Sequence, residues 1–291
     1  MLTTPELTIV GTGRVAQALG NALLECGMRV VAVAGRSRER AVEAAAFVGG
    51  GAEAMLCSEA GERAERVVIA VSDGALEAVA AELAAHQGRI RVALHTSGNA
   101  GPEVLAALAQ RGVSCGAIHP LQTIPSREAG AAALRGISFA VSGRGEALEF
   151  AGQIAARLEG RTLRIADGAQ PLYHAAAVMA SNYITALLDA AVESMALTGV
   201  TREEALEALA PLARAAVENA VRSGPVEALT GPVARGDAST VAAHVRAIGE
   251  ASGALLPVYR SMGLRALHMA RRRGLTEAAA GRVEEAFGSK E

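Results

Sequence analysis

The 291-residue sequence has no tryptophan, only three tyrosines and four phenylalanines, and its 28 basic and 30 acidic side chains nearly cancel. A nucleic-acid binder needs a positive surface and usually stacking rings, so neither DNA nor RNA is an expected partner. Cysteine is scarce too: Cys26, Cys57 and Cys115 are odd in number and have no paired spacing. That pattern fits neither a disulfide framework nor a zinc knuckle, so no metal is expected and the compartment expected is a reducing cytoplasm. The opening Met1–Glu6 has no basic run ahead of an apolar one, and the most apolar segment, Ala175–Val192, is interrupted by Ser181, Asn182 and Asp189. No signal peptide and no membrane span are expected. What the sequence does have is apolar mass: 51% of its residues are hydrophobic, enough at this length for a sizeable core in about two domains.

The first half alternates β-branched runs with alanine-rich helical stretches, the rhythm of βαβ units and a parallel sheet. Strands are predicted at 7–10, 29–34, 67–71, 91–95, 114–118, 137–141 and 162–165, with a shorter one near 52–56. Helices are predicted at 15–25, 38–47, 74–85, 102–109 and 146–158. After Ile165 no β-branched run remains, and nearly everything from Pro171 onward reads as helix. Residues 171–197 are predicted as one helix roughly 40 Å long, with Pro171 in its first turn. Thr201 and Glu204 have capping-box spacing and start another. The run Thr230–Asp237 is excluded from regular helix, Ser239 or Thr240 then caps a helix over 241–251, and two more follow at 255–271 and 276–287. The predicted boundary lies near Asp167, giving domains 1–166 and 167–291.

Gly11-Thr12-Gly13-Arg14-Val15-Ala16 has the form G-x-G-x-x-A, follows a hydrophobic strand and opens a helix. The first glycine allows the tight turn, the second lets backbone approach a pyrophosphate, and the small third residue lets helix and sheet pack closely. The helix N-terminus adds amide donors and the positive end of its dipole. The plain alternative is an ordinary glycine turn. The second strand ends Val33-Ala34-Gly35-Arg36-Ser37-Arg38, with no carboxylate before Glu39 to meet the ribose hydroxyls of NAD. Arg36 and Arg38 can instead bind a 2′-phosphate, and Ser37 can donate to it, so NADP(H) is the expected cofactor. Arg40 is read as solvating the next helix. By position, Val71 and Ser72 after the fourth strand border the nicotinamide ribose.

Two polar clusters follow adjacent strands at the carboxyl edge, where ligands of open α/β sheets bind: His95-Thr96-Ser97-Gly98-Asn99 and His119-Pro120-Leu121-Gln122-Thr123. Reduction by hydride needs a proton donor, and an imidazole titrates in the useful range. His119 is the first choice, with Ser97 aligning it or the substrate; the alternative is that His95 and His119 satisfy backbone carbonyls. The long helix carries a second candidate set, Tyr173-His174 and Ser181-Asn182-Tyr183: on a continuous helix His174 and Ser181 fall within roughly 20° of each other, and Asn182 borders that face. Arg235 can bind a substrate carboxylate with Asp237 holding it, or the two can form a structural corner.

Together, GTGRVA at 11–16, HTSG at 95–98, HPLQT at 119–123, LYHAAAVMASNY at 172–183 and TGPVARGD at 230–237 resemble a family of oxidoreductases that join an N-terminal Rossmann-like domain to a helical domain of unknown function. The layout is also similar to β-hydroxyacid dehydrogenases, ketopantoate reductases, pyrroline-5-carboxylate reductases and prephenate dehydrogenases. The resemblance implies an α/β Rossmann-like parallel-sheet domain followed by an all-α C-terminal domain, hydride transfer in a cleft between them, and a homodimer through the helical part. A Ser after one strand and a His-Pro after the next match prephenate dehydrogenases at Ser97 and His119-Pro120. The Lys and Asn that β-hydroxyacid dehydrogenases carry on the long helix are replaced by His174 and Val178, so their mechanism does not transfer. The expected activity is NADP(H)-dependent reduction of a ketone or imine on a small carboxylate-bearing metabolite, such as ketopantoate. The alternatives are a prephenate-type dehydrogenase and a non-catalytic NADP(H) sensor.

Overall fold

Among the described residues eight strands form one sheet: β1 (Glu6–Val10), β2 (Arg29–Gly35), β3 (Glu53–Leu56), β4 (Arg66–Ile69), β5 (Val92–His95), β6 (Ser114–Pro120), β7 (Ser138–Gly143) and β8 (Arg161–Arg164). They lie in the order β3-β2-β1-β4-β5-β6-β7-β8, so the chain reverses its direction of winding between β1 and β4. Central strands such as β1 and β5 are buried almost throughout because helices cover both faces. The computed structural model describes residues 6–288 and divides into two units, Met1–Ser181 and Asn182–Glu291; the sequence reading of Met1–Pro5 falls outside the described residues.

The helices of the first unit are α1 (Arg14–Glu25), α2 (Arg38–Val48), α3 (Leu76–Ala85), α4 (Ala106–Ala109), α5 (Arg127–Ala133), α6 (Gly145–Arg157) and α7 (Gln170–Ala180). One apolar layer joins Leu7, Ile9, Leu19, Leu23, Phe139, Phe150 and Ile154, and the other joins Val10, Ile69, Leu76, Leu83, Ile90 and Leu105. Burying each such side chain contributes about 1.5–3 kcal/mol. Alanine and glycine on α1 let it approach closely: a Cβ on Gly20 would lie 2.7 Å from a methyl of Val48.

The sheet is parallel as expected but for one pairing. From β3 to β6 every pairing is parallel, but β7 runs antiparallel to β6 and parallel to β8. The connection from β6 to β7 holds only the short α5, and an antiparallel neighbour can be reached without a full crossover.

The single helix expected over 171–197 is corrected. Ser181 leaves helical geometry (φ −129°, ψ −77°), its hydroxyl donates to the Ala177 carbonyl at 2.7 Å, and a new helix, α8 (Asn182–Ala196), follows. A serine bonded back to the preceding turn bends or ends a helix in this way. The two compact units divide after Ser181, which puts α7 in the same unit as the sheet. By length and composition alone, residues 170–196 are apolar enough to cross a membrane.

The second unit is helical: α8, α9 (Arg202–Ser223), α10 (Pro225–Ala228), α11 (Pro232–Arg235), α12 (Ala238–Ala251), α13 (Leu255–Arg272) and α14 (Glu277–Ala286). Thr201 and Glu204 form the expected capping box on α9. The loop from Thr230 holds one helical turn where none was expected, bracketed by Gly231 and Gly236, both with positive φ. Asp237, rather than Ser239 or Thr240, caps α12 by accepting from the Thr240 amide. Val233, Val241, Leu267, Ala280, Val283 and Phe287 form the core.

Candidate active site

The carboxyl ends of β1, β2, β4, β5 and β6 border one cavity of about 830 Å³, beside the point where the strand order reverses. All of its lining residues lie between Gly11 and His174, within the first unit.

One end is built from the glycine turn. At Gly11 φ is +135°, and a Cβ there would lie 2.2 Å from the Ala70 carbonyl oxygen, so only glycine lets β1 pass β4 into α1. A Cβ on Gly13 would meet nothing within 4 Å, which leaves the backbone open to the cavity. Gly13 also heads α1 without a side-chain cap, and the first turn carries no acidic residue. Such an end offers amide donors and the positive dipole end to an anion. Thr12, Arg14 and Val15 line the same wall, and the Arg14 guanidinium is tied to the Pro125 carbonyl at 2.6 Å.

The end of β2 sorts the predicted phosphate ligands. Arg36 lines the cavity. Arg38 does not: it donates to both carboxylate oxygens of Glu59, at 2.7 and 2.8 Å, and to the Ala54 carbonyl at 3.2 Å. Arg40, read from sequence as a solvated helix residue, is on the cavity wall with Glu43. Ser37 caps α2 through its hydroxyl oxygen. Val71 and Ser72 line the cavity as expected by position, joined by Asp73. An uncapped helix end, an open Gly13 and two arginines fit the pyrophosphate and a further phosphate of a dinucleotide.

The other end holds Ser97, Gly98, His119 and His174. His95, fully buried below them, is structural: Nδ1 accepts from the Ser97 amide at 3.2 Å and Nε2 donates to the Gly101 carbonyl at 3.1 Å. Burial lowers its pKa from the ordinary value. The Ser97 hydroxyl oxygen accepts from the amides of Asn99 and Ala100, both at 3.1 Å, which shapes the loop and leaves its proton to donate. His119 is half-buried, and burial, then the neighbouring His174, push its pKa down to about 4. The two imidazoles meet edge to face with centroids 6.0 Å apart. Gly98 makes room for both: a Cβ there would lie 2.9 Å from His174 Cδ2 and 3.0 Å from His119 Cδ2 and Cε1.

Ser181 and Asn182 stand at the junction of the two units, and the Ser181 hydroxyl is bonded to its own helix. Arg235 ends α11 with an exposed side chain. Asp237 makes no ion pair with it; it accepts from the Thr240 hydroxyl at 2.7 Å, the Thr240 amide at 3.1 Å and the Ser239 hydroxyl at 2.8 Å, and these bonds, with the nearby Arg235 charge, hold its pKa down to about 2. No group of three or more metal-ligating side chains occurs among the described residues. Sequence reasoning gave no site role to Arg40, Asp73 or Gly98, and it named Tyr173 only beside His174, without its bond to His119. The signal for Gly98 was present, since a glycine between two polar loop residues at a strand end marks a close approach.

Two known families match the chain, and the second match starts before β7 and runs across the division after Ser181. Residues 3–120 match a Rossmann-like domain, and residues 137–266 match DUF2520, a domain of unknown function. The chain is thus a Rossmann-like domain joined to a DUF2520 domain. Among solved structures it is similar to a protein from Thermotoga maritima (24% identity, 92% of this chain and 99% of that one, TM-score 0.71). It is also similar to a Bacteroides fragilis protein described as an NADP oxidoreductase (20%, 91% and 98%, 0.69). An imine reductase from Aspergillus terreus is a third (21%, 97% and 99%, 0.62). At these identities the likeness establishes the fold. A comparison with curated proteins finds no sequence match.

Proposed function

We propose that the chain is an NADP(H)-dependent oxidoreductase that moves a hydride between the nicotinamide and a carbon–oxygen or carbon–nitrogen double bond of a small molecule. The observation that carries this reading is the single cavity that unites the Gly11–Gly13 turn, Arg36 and Arg40 at one end with Ser97, His119 and His174 at the other. Arg36 and Arg40 would hold the 2′-phosphate, and the α1 amides the pyrophosphate. The nicotinamide, when bound, supplies the hydride; the chain orients the acceptor and handles the proton. Ser97 donates to the substrate heteroatom. His119, neutral at pH 7 because of its burial, relays a proton rather than storing one. The similar structures that carry NADP oxidoreductase or imine reductase names support the cofactor and the reaction type.

Pairing of two copies through the helical unit is supported by the apolar side chains α9 exposes, among them Val221 at 82% and Leu212 at 66%. The test is NADPH oxidation across a panel of 2-oxo acids, ketopantoate included, and cyclic imines. Turnover with any member is the expected result. Tight NADPH binding with no turnover across the panel would favour a sensor instead.

A further inference from the structure

We propose that Tyr173 is a positioning residue that fixes His119 as its Nε2–H tautomer, backed by one water molecule in a chamber behind the pair. In that tautomer the site takes substrates that present a hydrogen-bond acceptor to His119. The inference rests on reading the cavity as a reaction site.

The Tyr173 hydroxyl and His119 Nδ1 are 2.7 Å apart, with the rings edge to face at 5.7 Å between centroids. A neutral phenol is a good donor and a poor acceptor, and the unprotonated nitrogen of an imidazole is a good acceptor. The shared proton therefore sits on the phenol, Nδ1 carries the lone pair, and the single ring proton is on Nε2. Burial and the adjacent His174 act against a doubly protonated ring. Nε2 has no protein partner among the described residues, unlike His95, whose two nitrogens are both committed to backbone.

The chamber behind the pair, a small recess of about 10 Å³, has Ser142, Gln170, His119 and Tyr173 on its wall and adjoins the main cavity through Ser97, Gly98 and His119. That is about the smallest space that holds a water molecule. Two of its groups need one: the Ser142 hydroxyl and the Gln170 amide nitrogen are buried, in residues only 3% and 5% exposed, and neither has a hydrogen-bond partner. A water bonded to both can donate to the second lone pair of the Tyr173 oxygen. The phenolic proton is then left for His119.

A donor at Nε2 selects by chemistry. A carbonyl oxygen or the lone pair of a neutral imine nitrogen can accept from it, whereas an iminium N–H or an ammonium would face it donor to donor. The chamber and the tautomer thus favour neutral acceptors over cationic substrates.

The test is long-range ¹H–¹⁵N NMR of His119 in the full-length protein at pH 7.5, which needs no substrate. The wild type is expected to show protonated Nε2 and bare Nδ1, and Tyr173→Phe a mixture of tautomers. A wild-type spectrum with Nδ1–H overturns the proposal, as does a Tyr173→Phe spectrum identical to wild type. A high-resolution crystal structure of the same chain is expected to show one water bonded to Ser142 and Gln170; an empty chamber overturns that part. With an active substrate in hand, Tyr173→Phe should lower kcat roughly tenfold with little change in KM, the scale of one lost hydrogen bond. Failure of NADPH to bind would sink the functional reading and leave the tautomer result standing, so the two are separable.

Discussion

Arg38 spends its guanidinium on Glu59, two bonds at 2.7 and 2.8 Å, and so leaves Arg36 and Arg40 as the arginines at the β2 end of the cavity. Arg36→Ala should therefore weaken NADPH by about 10–100-fold, as expected for charge-assisted bonds, and NADH by far less. Arg38→Ala should leave the preference between cofactors unchanged. Fluorescence titration of both cofactors against both variants checks this, and equal losses for the two cofactors in Arg36→Ala would remove that residue from the phosphate site.

Gly98→Ala should be damaging although the backbone there needs no positive φ. Its methyl would press on both imidazoles, and overpacking of this kind costs about 1–3 kcal/mol. The expected outcome is a lowered Tm and a fall in turnover of at least about tenfold. A variant with wild-type turnover would show that the two histidines move freely.

His119 should make stability fall in acid. Its pKa drops from 6.5 in the unfolded chain to about 4 in the fold, so between those values the unfolded state binds more protons. The contribution is complete above about pH 6.5, is lost progressively as pH falls towards 4, and levels off below. It amounts to something on the order of 3 kcal/mol. Urea unfolding at pH 7.5 and pH 4.5 should show a smaller acid loss in His119→Gln than in the wild type. Equal losses would mean that His119 titrates normally.

The sheet was readable because buried parallel strands leave continuous apolar runs rich in β-branched residues, as in Val30–Val33 and Val67–Ile69. The glycine turn was readable for a related reason, since Gly11 is where no other residue fits. Features that depend on distant partners were not readable. Positions 38 and 40 point roughly 200° apart on a helix, and nothing local says which one meets Glu59 across the chain. Tyr173 reaches His119 over 54 residues of sequence. The break at Ser181 comes from one hydroxyl bonding its own helix, which the surrounding apolar run concealed.

His119→Ala and His174→Ala should each slow hydride transfer by about 10²–10⁴-fold while changing NADPH affinity little, because both stand at the opposite end of the cavity from the arginines. Single-turnover kinetics separates the two effects. Unchanged rates in both variants would move the proton chemistry elsewhere.

The most direct test of the account is calorimetric titration of the purified full-length protein with NADPH and, in parallel, NADH. The account predicts one site per chain, with NADPH bound at least about tenfold more tightly through contacts to its extra phosphate. NADH binding as tight as NADPH, or no binding of either, would contradict it.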